Sequence, residues 1–160
     1  MSTRPRRSWK SRRERLAQVS WGERAMLVEA TAALLVARAR LVFQPFRAIA
    51  RRFGELVPPS DPRVAAHRAP AGPDAQAYAE RVSWAVTRAA LHVPFRAVCL
   101  PQAIAAHAML RRRGVASAVH FGAMKGASSG IDAHAWLDAA GVEVTGYPVK
   151  EGMAEIGCFV

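Results

Sequence analysis

The chain has 160 residues and a formal net charge of +11, a length that suits one domain or a small domain with an arm. Hydrophobic residues make up 51% of it, which excludes a disordered polyelectrolyte. Residues 1–54 hold thirteen Lys and Arg against three acids, a net of +10, and the remainder nets +1, so a uniformly basic nucleic-acid-coating fold is excluded as well. The two cysteines, Cys99 and Cys158, are too few for a disulfide scaffold and suit a reducing cytoplasm. With no Cys-x-x-Cys and no His-x-x-x-His pair, neither a structural metal nor any cofactor is expected.

Residues 1–19 read as an Arg-rich, disordered arm. Ser11-Arg12-Arg13 followed by Leu16 loosely matches a twin-arginine export signal, but Glu23, Arg24 and Glu29 interrupt the apolar segment that a signal requires. The richest apolar run, 25–37, is too short to span a membrane, which takes ~20 residues. Ser20 with Glu23 has capping-box spacing and opens a helix expected over 21–42. Pro45 ends it. A short helix, 46–53, follows with Phe46, Ile49 and Phe53 on one face. Both form an N-terminal amphipathic segment, 20–54.

Residues 55–73 carry five prolines (Pro58, Pro59, Pro62, Pro70 and Pro73) and Gly72, and read as an extended linker. A helix is expected from Asp74, as N-cap, to Leu91. A second runs from Cys99 to Gly114, with Pro101 in its first turn and Arg111 to Arg113 in its last. Beyond Gly114 the period changes to two. Strands are expected over 115–121, 133–138, 142–145 and 156–160, with a Gly/Ser loop at 126–130 and a three-residue turn at 139–141. The region 74–160 is thus an α+β domain with a small antiparallel sheet.

Cys99 stands at a helix N-terminus, where backbone N–H groups and the helix dipole favour a thiolate nucleophile. It needs a base. His107 is eight residues along the same helix, ~12 Å of rise, and out of reach. His67 lies in the Pro-rich stretch and His92 at a helix end. His120 and His134 are on strands, and His134 follows the Gly-rich loop.

Val98-Cys99-Leu-Pro-Gln-Ala103, a helix closing Arg111-Arg-Arg-Gly-Val115, and then His134-Ala-Trp136 together resemble the transglutaminase-like C-terminal domain of lasso-peptide leader peptidases, the B proteins of lasso biosynthesis. Trp21-x-Glu23-Arg24 and Pro45-Phe46-Arg47 are similar to that family too, so that the resemblance covers residues ~20 to 160. It implies papain-like chemistry. Cys99 would attack a peptide carbonyl, and His134 would take and return the proton. Gln102 would orient the loop or support the oxyanion. The substrate would be a ribosomal precursor cut between leader and core, with no cofactor. The family's third member, an acid about a dozen residues after the histidine, falls here at Thr145-Gly146, and a three-residue turn sets Gly146 opposite His134. Asp138, ~13 Å along the strand, cannot orient that ring. Thr145, Tyr147, Glu151 or Glu155 could substitute, and nothing in the sequence selects one. Glu143, Glu151 and Glu155 read more simply as solvated surface charges.

In residues 1–54 no strand alternation marks a leader-recognition domain. The resemblance therefore implies a separate leader-binding partner, beside an asparagine-synthetase-like cyclase that closes the macrolactam. The basic helical third reads as a face packed on the catalytic domain, with docking of partner or precursor as an added role. Contact with an anionic membrane surface is the alternative, and specific nucleic-acid binding is not expected. A transglutaminase-like acyltransferase and a catalytically weak basic binding module are the rival functions.

Overall fold

The computed structural model describes residues 20–126 and 130–160; the expected basic arm, with its Ser11-Arg12-Arg13, and the tip of the Gly/Ser loop lie outside them. Among the described residues, five helices precede or interleave with five strands: α1 (Trp21–Phe43), α2 (Phe46–Ala50), β1 (Leu56–Val57), α3 (Pro62–Arg68), α4 (Pro73–Ala90), α5 (Cys99–Arg112), β2 (Ala118–Lys125), β3 (Ile131–Ala139), β4 (Val142–Thr145) and β5 (Ala154–Phe159). One antiparallel sheet has the order β1-β5-β2-β3-β4. The class is α+β.

Local chemistry sets the element ends. The Ser20 hydroxyl accepts from the Glu23 N–H while the Glu23 carboxylate accepts from the Ser20 N–H, closing the capping box and satisfying donors that a helix start leaves free. Gly114, at φ +68°, takes the left-handed conformation that follows α5. Helices α1, α4 and α5 meet through small side chains: Ala30, Ala37, Ala79, Ala85, Ala103 and Ala106 are buried, with Leu34, Val82, Val86 and Leu110 filling between them. This layer packs on Val119, Leu137, Ala139, Val144 and Phe159 of the sheet. The opposite face carries a smaller cluster of Val57, Val64, Ala118 and Cys158, in which Val64 comes from α3.

Three expectations are corrected. The Pro-rich stretch 55–73 is not an extended linker: it supplies the edge strand β1 and helix α3, and Pro62 and Pro73 each occupy a first helical turn, where a missing N–H costs nothing. The N-cap of α4 is Gly72, and Asp74 lies inside its first turn. The β3–β4 turn has two residues, Ala140 and Gly141, both at positive φ, the type I′ geometry that fits strand twist. A bulge between Leu137 and Asp138 then sets Leu137 opposite Thr145, so Gly146 lies against Trp136 and not in register with His134.

Candidate active site

Cys99 is the first residue of α5 and is half-buried. The Gln102 side-chain amide donates to the Ala97 carbonyl at 2.7 Å, bracing the loop that delivers Cys99 to the helix. His134 lies on β3, half-buried. Its Nε2–H donates to the Gly146 carbonyl at 2.6 Å. A carbonyl only accepts, so this bond fixes the tautomer and leaves the Nδ1 lone pair free to act as a base. A main-chain oxygen thus orients this ring in the way an acid orients the histidine of a triad. Gly146 has φ +84°, and a Cβ there would stand 2.4 Å from the Ala135 carbonyl oxygen; only glycine brings that carbonyl to the imidazole.

Among the described residues no hydrogen bond joins Cys99 to His134. His134 stacks on Trp136, with ring centroids 6.0 Å apart, and Trp136 stacks on His120 at 5.4 Å. These rings line the sheet face that α3 covers, whereas α5 packs on the other.

A second Cys–His constellation sits beneath that stack, and the sequence reading missed it. His120 is fully buried on β2. Its Nδ1 contacts the Glu155 carboxylate and lies 3.3 Å from the Cys158 Sγ; the thiol in turn donates to Glu155 at 2.9 Å. On the far side of the ring, Nε2 is 3.1 Å from Asp138 Oδ2. Asp138 is held by Arg68 at 3.0 Å and by the Tyr147 hydroxyl, which donates at 2.5 Å. Glu155 is thus no solvated surface charge, and Asp138, too far to orient His134, backs His120 instead. The signal available beforehand was strand alternation, which puts His120, Asp138 and Cys158 on one face.

Burial, reinforced by the Glu155 carboxylate, pushes the Cys158 thiol up to about 12, so it is protonated at neutral pH and is no nucleophile. Burial and then the Asp138 hydrogen bond likewise hold the Tyr147 hydroxyl far above its ordinary range. Of the two cysteines, Cys99 is the more exposed and the one at a helix N-terminus. His107, expected only to lie out of reach of Cys99, is buried between the Ser117 hydroxyl and the Arg52 carbonyl at 2.9 and 3.1 Å. His67 lies on α3, its Nδ1 3.3 Å from the Ser117 carbonyl oxygen. Among the described residues, the donors that could hold a metal ion are His120, Glu155 and Cys158.

The model of the transglutaminase-like superfamily fits residues 40–156. The chain belongs to the transglutaminase-like superfamily. Its match opens at residue 40, near the end of α1, so α2 and the Pro-rich stretch fall within it and most of α1 does not. The domain is compatible with cysteine peptidase or acyltransferase activity. No curated protein and no solved structure matches the chain.

Proposed function

We propose that this superfamily member is a cysteine peptidase that removes the leader from a ribosomally made lasso precursor before macrolactam closure. The observation that carries the reading is Cys99 at a helix N-terminus; His134, whose tautomer the Gly146 carbonyl fixes, is the base assigned to it, and the Cys-Leu-Pro-Gln-Ala and His-Ala-Trp motifs support the substrate class. Cys99 Sγ attacks the scissile carbonyl as His134 Nδ1 accepts the thiol proton. The tetrahedral oxyanion is met by backbone N–H groups of the first turn of α5. His134 then protonates the departing amine, and water hydrolyses the thioester. The reading requires a rearrangement when substrate binds, because α5 and the His134 ring pack on opposite faces of the sheet and no hydrogen bond joins Sγ to the imidazole. Partners follow from the same reading: the precursor peptide, a separate leader-recognition protein and an asparagine-synthetase-like cyclase. The enzyme works in the cytoplasm, where the basic N-terminal helices also suit contact with an anionic membrane surface. Among the described residues, no helix is long and apolar enough to cross a membrane.

Mass spectrometry of the cognate precursor, incubated with recognition partner and with wild type, Cys99→Ala or His134→Ala, tests this. Cleavage by wild type alone supports it; undiminished cleavage by both variants refutes it. Transfer of the acyl group to an added amine would identify an acyltransferase. The open Cys99–His134 pair favours one other reading, a catalytically weak binding module, for which precursor is bound but left intact by all three proteins.

A further inference from the structure

The buried constellation on the α3 side of the sheet has no part in the chemistry proposed for Cys99. A thiol, an imidazole and a carboxylate converge here from two neighbouring strands, and their ligating atoms all lie within 4.8 Å of one another. His120 and Cys158 are each 0% exposed. A hydrogen-bonded network alone leaves this face imperfectly matched. His120 Nε2 and Asp138 Oδ2 are both buried and, although 3.1 Å apart, do not meet at a hydrogen-bonding angle. A buried polar group in that condition carries a desolvation cost.

We propose that His120, Glu155 and Cys158 form a zinc site that ties β5 to β2. The donor set of one thiolate, one imidazole and one carboxylate is that of Zn²⁺, a borderline-soft ion that takes sulfur, nitrogen and oxygen in tetrahedral array. Tetrahedral ligands at ~2.0–2.3 Å stand roughly 3.3–3.8 Å apart, and Sγ and Nδ1 are already 3.3 Å apart. Opening the centre requires the Glu155 carboxylate, 27% exposed, to shift outward from His120 and Cys158, which would leave the fourth position to water on that solvent side. The outer sphere is built as well. A zinc-bound imidazole characteristically passes its second N–H to a carboxylate; the carboxylate nearest Nε2 is Asp138, 3.1 Å away and held by Arg68 and Tyr147, and a small turn of the imidazole on binding the ion would align the two. Charge closes too: the ion and Arg68 balance a thiolate and two carboxylates, which buried ions demand. No short-range cysteine or histidine motif announces the site, because its ligands come from strands 35 residues apart.

Cobalt(II) titration of metal-stripped full-length protein tests the site, since thiolate coordination gives a near-ultraviolet charge-transfer band. One equivalent of Co²⁺ should raise the band in wild type and in Cys99→Ala, and Zn²⁺ should displace it. Cys158→Ser should lose the band, and Glu155→Gln, at a half-exposed position that leaves the core intact, should weaken Co²⁺ binding at least tenfold. Absence of the band in wild type, or a band that survives Cys158→Ser and vanishes in Cys99→Ala, overturns the proposal.

Discussion

Gly146 is constrained from two directions at once. Its φ of +84° is costly for any residue with a Cβ, and the added carbon would press on the Ala135 carbonyl and on Trp136 Cα and Cβ. Gly146→Ala should therefore destabilise the fold by about 1–3 kcal/mol and, by moving the carbonyl from His134, lower turnover further than stability alone explains; urea unfolding and precursor-cleavage rates on the same samples separate the two. For Cys99→Ala and His134→Ala the expectation is a fall in cleavage of at least ~10³-fold with an unchanged unfolding midpoint, because losing one member of a cooperating pair disables the rest. At this scale the sequence was legible in where side chains are placed: Cys99 opens α5 and Gln102 lies in its first turn. It was silent on where main-chain groups point. The position read as the third member holds no side chain, and nothing in a residue type reveals that its carbonyl oxygen is aimed at an imidazole twelve positions earlier. Glu155 was misread for a related reason. A glutamate near a chain segment of mixed polarity looks solvated until the strand beside it is known to present His120.

Helix α1 shows the strength of local signals. Its capping box and the break at Pro45 were visible from spacing alone, and the helix runs Trp21–Phe43. Ser20→Ala should cost about 1 kcal/mol, read as a lower melting temperature with unchanged cleavage. Prolines were the weak point. Five in nineteen residues suggest a linker by composition, yet Pro62 and Pro73 open helices; a helix N-terminus and a linker use the same residue for different reasons, and only tertiary packing of Val64 tells them apart. Strand positions slipped for a second reason, since the two-residue turn and the bulge after Leu137 shift register by amounts that alternation cannot show. Within α5, His107 gives a pH prediction. Burial lowers its pKa below 6.5, with the Arg111 charge acting in the same direction. The unfolded chain therefore binds the proton more readily, and stability is full above ~6.5 and declines as pH falls through and below that value. Denaturant titrations between pH 7.5 and about 5 should show this loss, and His107→Gln should flatten the slope even if it lowers stability at pH 7.5.

The whole molecule depends on a sheet whose second strand, β5, arrives last in sequence yet sits between β1 and β2. Glu55 and Val160 exchange two backbone hydrogen bonds, at 2.9 and 3.1 Å. Gly54, at φ +121°, leaves no room there: a Cβ would lie 2.1 Å from the Val160 carbonyl oxygen. Gly54→Ala should thus cost at least ~2 kcal/mol, measured by denaturant unfolding, with the greatest loss of amide protection in β1. The α+β class was legible from the change of period at Gly114. The strand order was not, because alternation describes one strand's faces and carries no information about which strand is its neighbour. That order has a kinetic side. Pairing Leu56 with Phe159 closes a loop of about 100 residues, whose entropy must be lost before the ladder returns any energy. The helices can form and dock early, from contacts near in sequence. The β1–β5 seam is then the slow event, and until it closes β5 offers an unpaired edge through which two partly folded chains can associate.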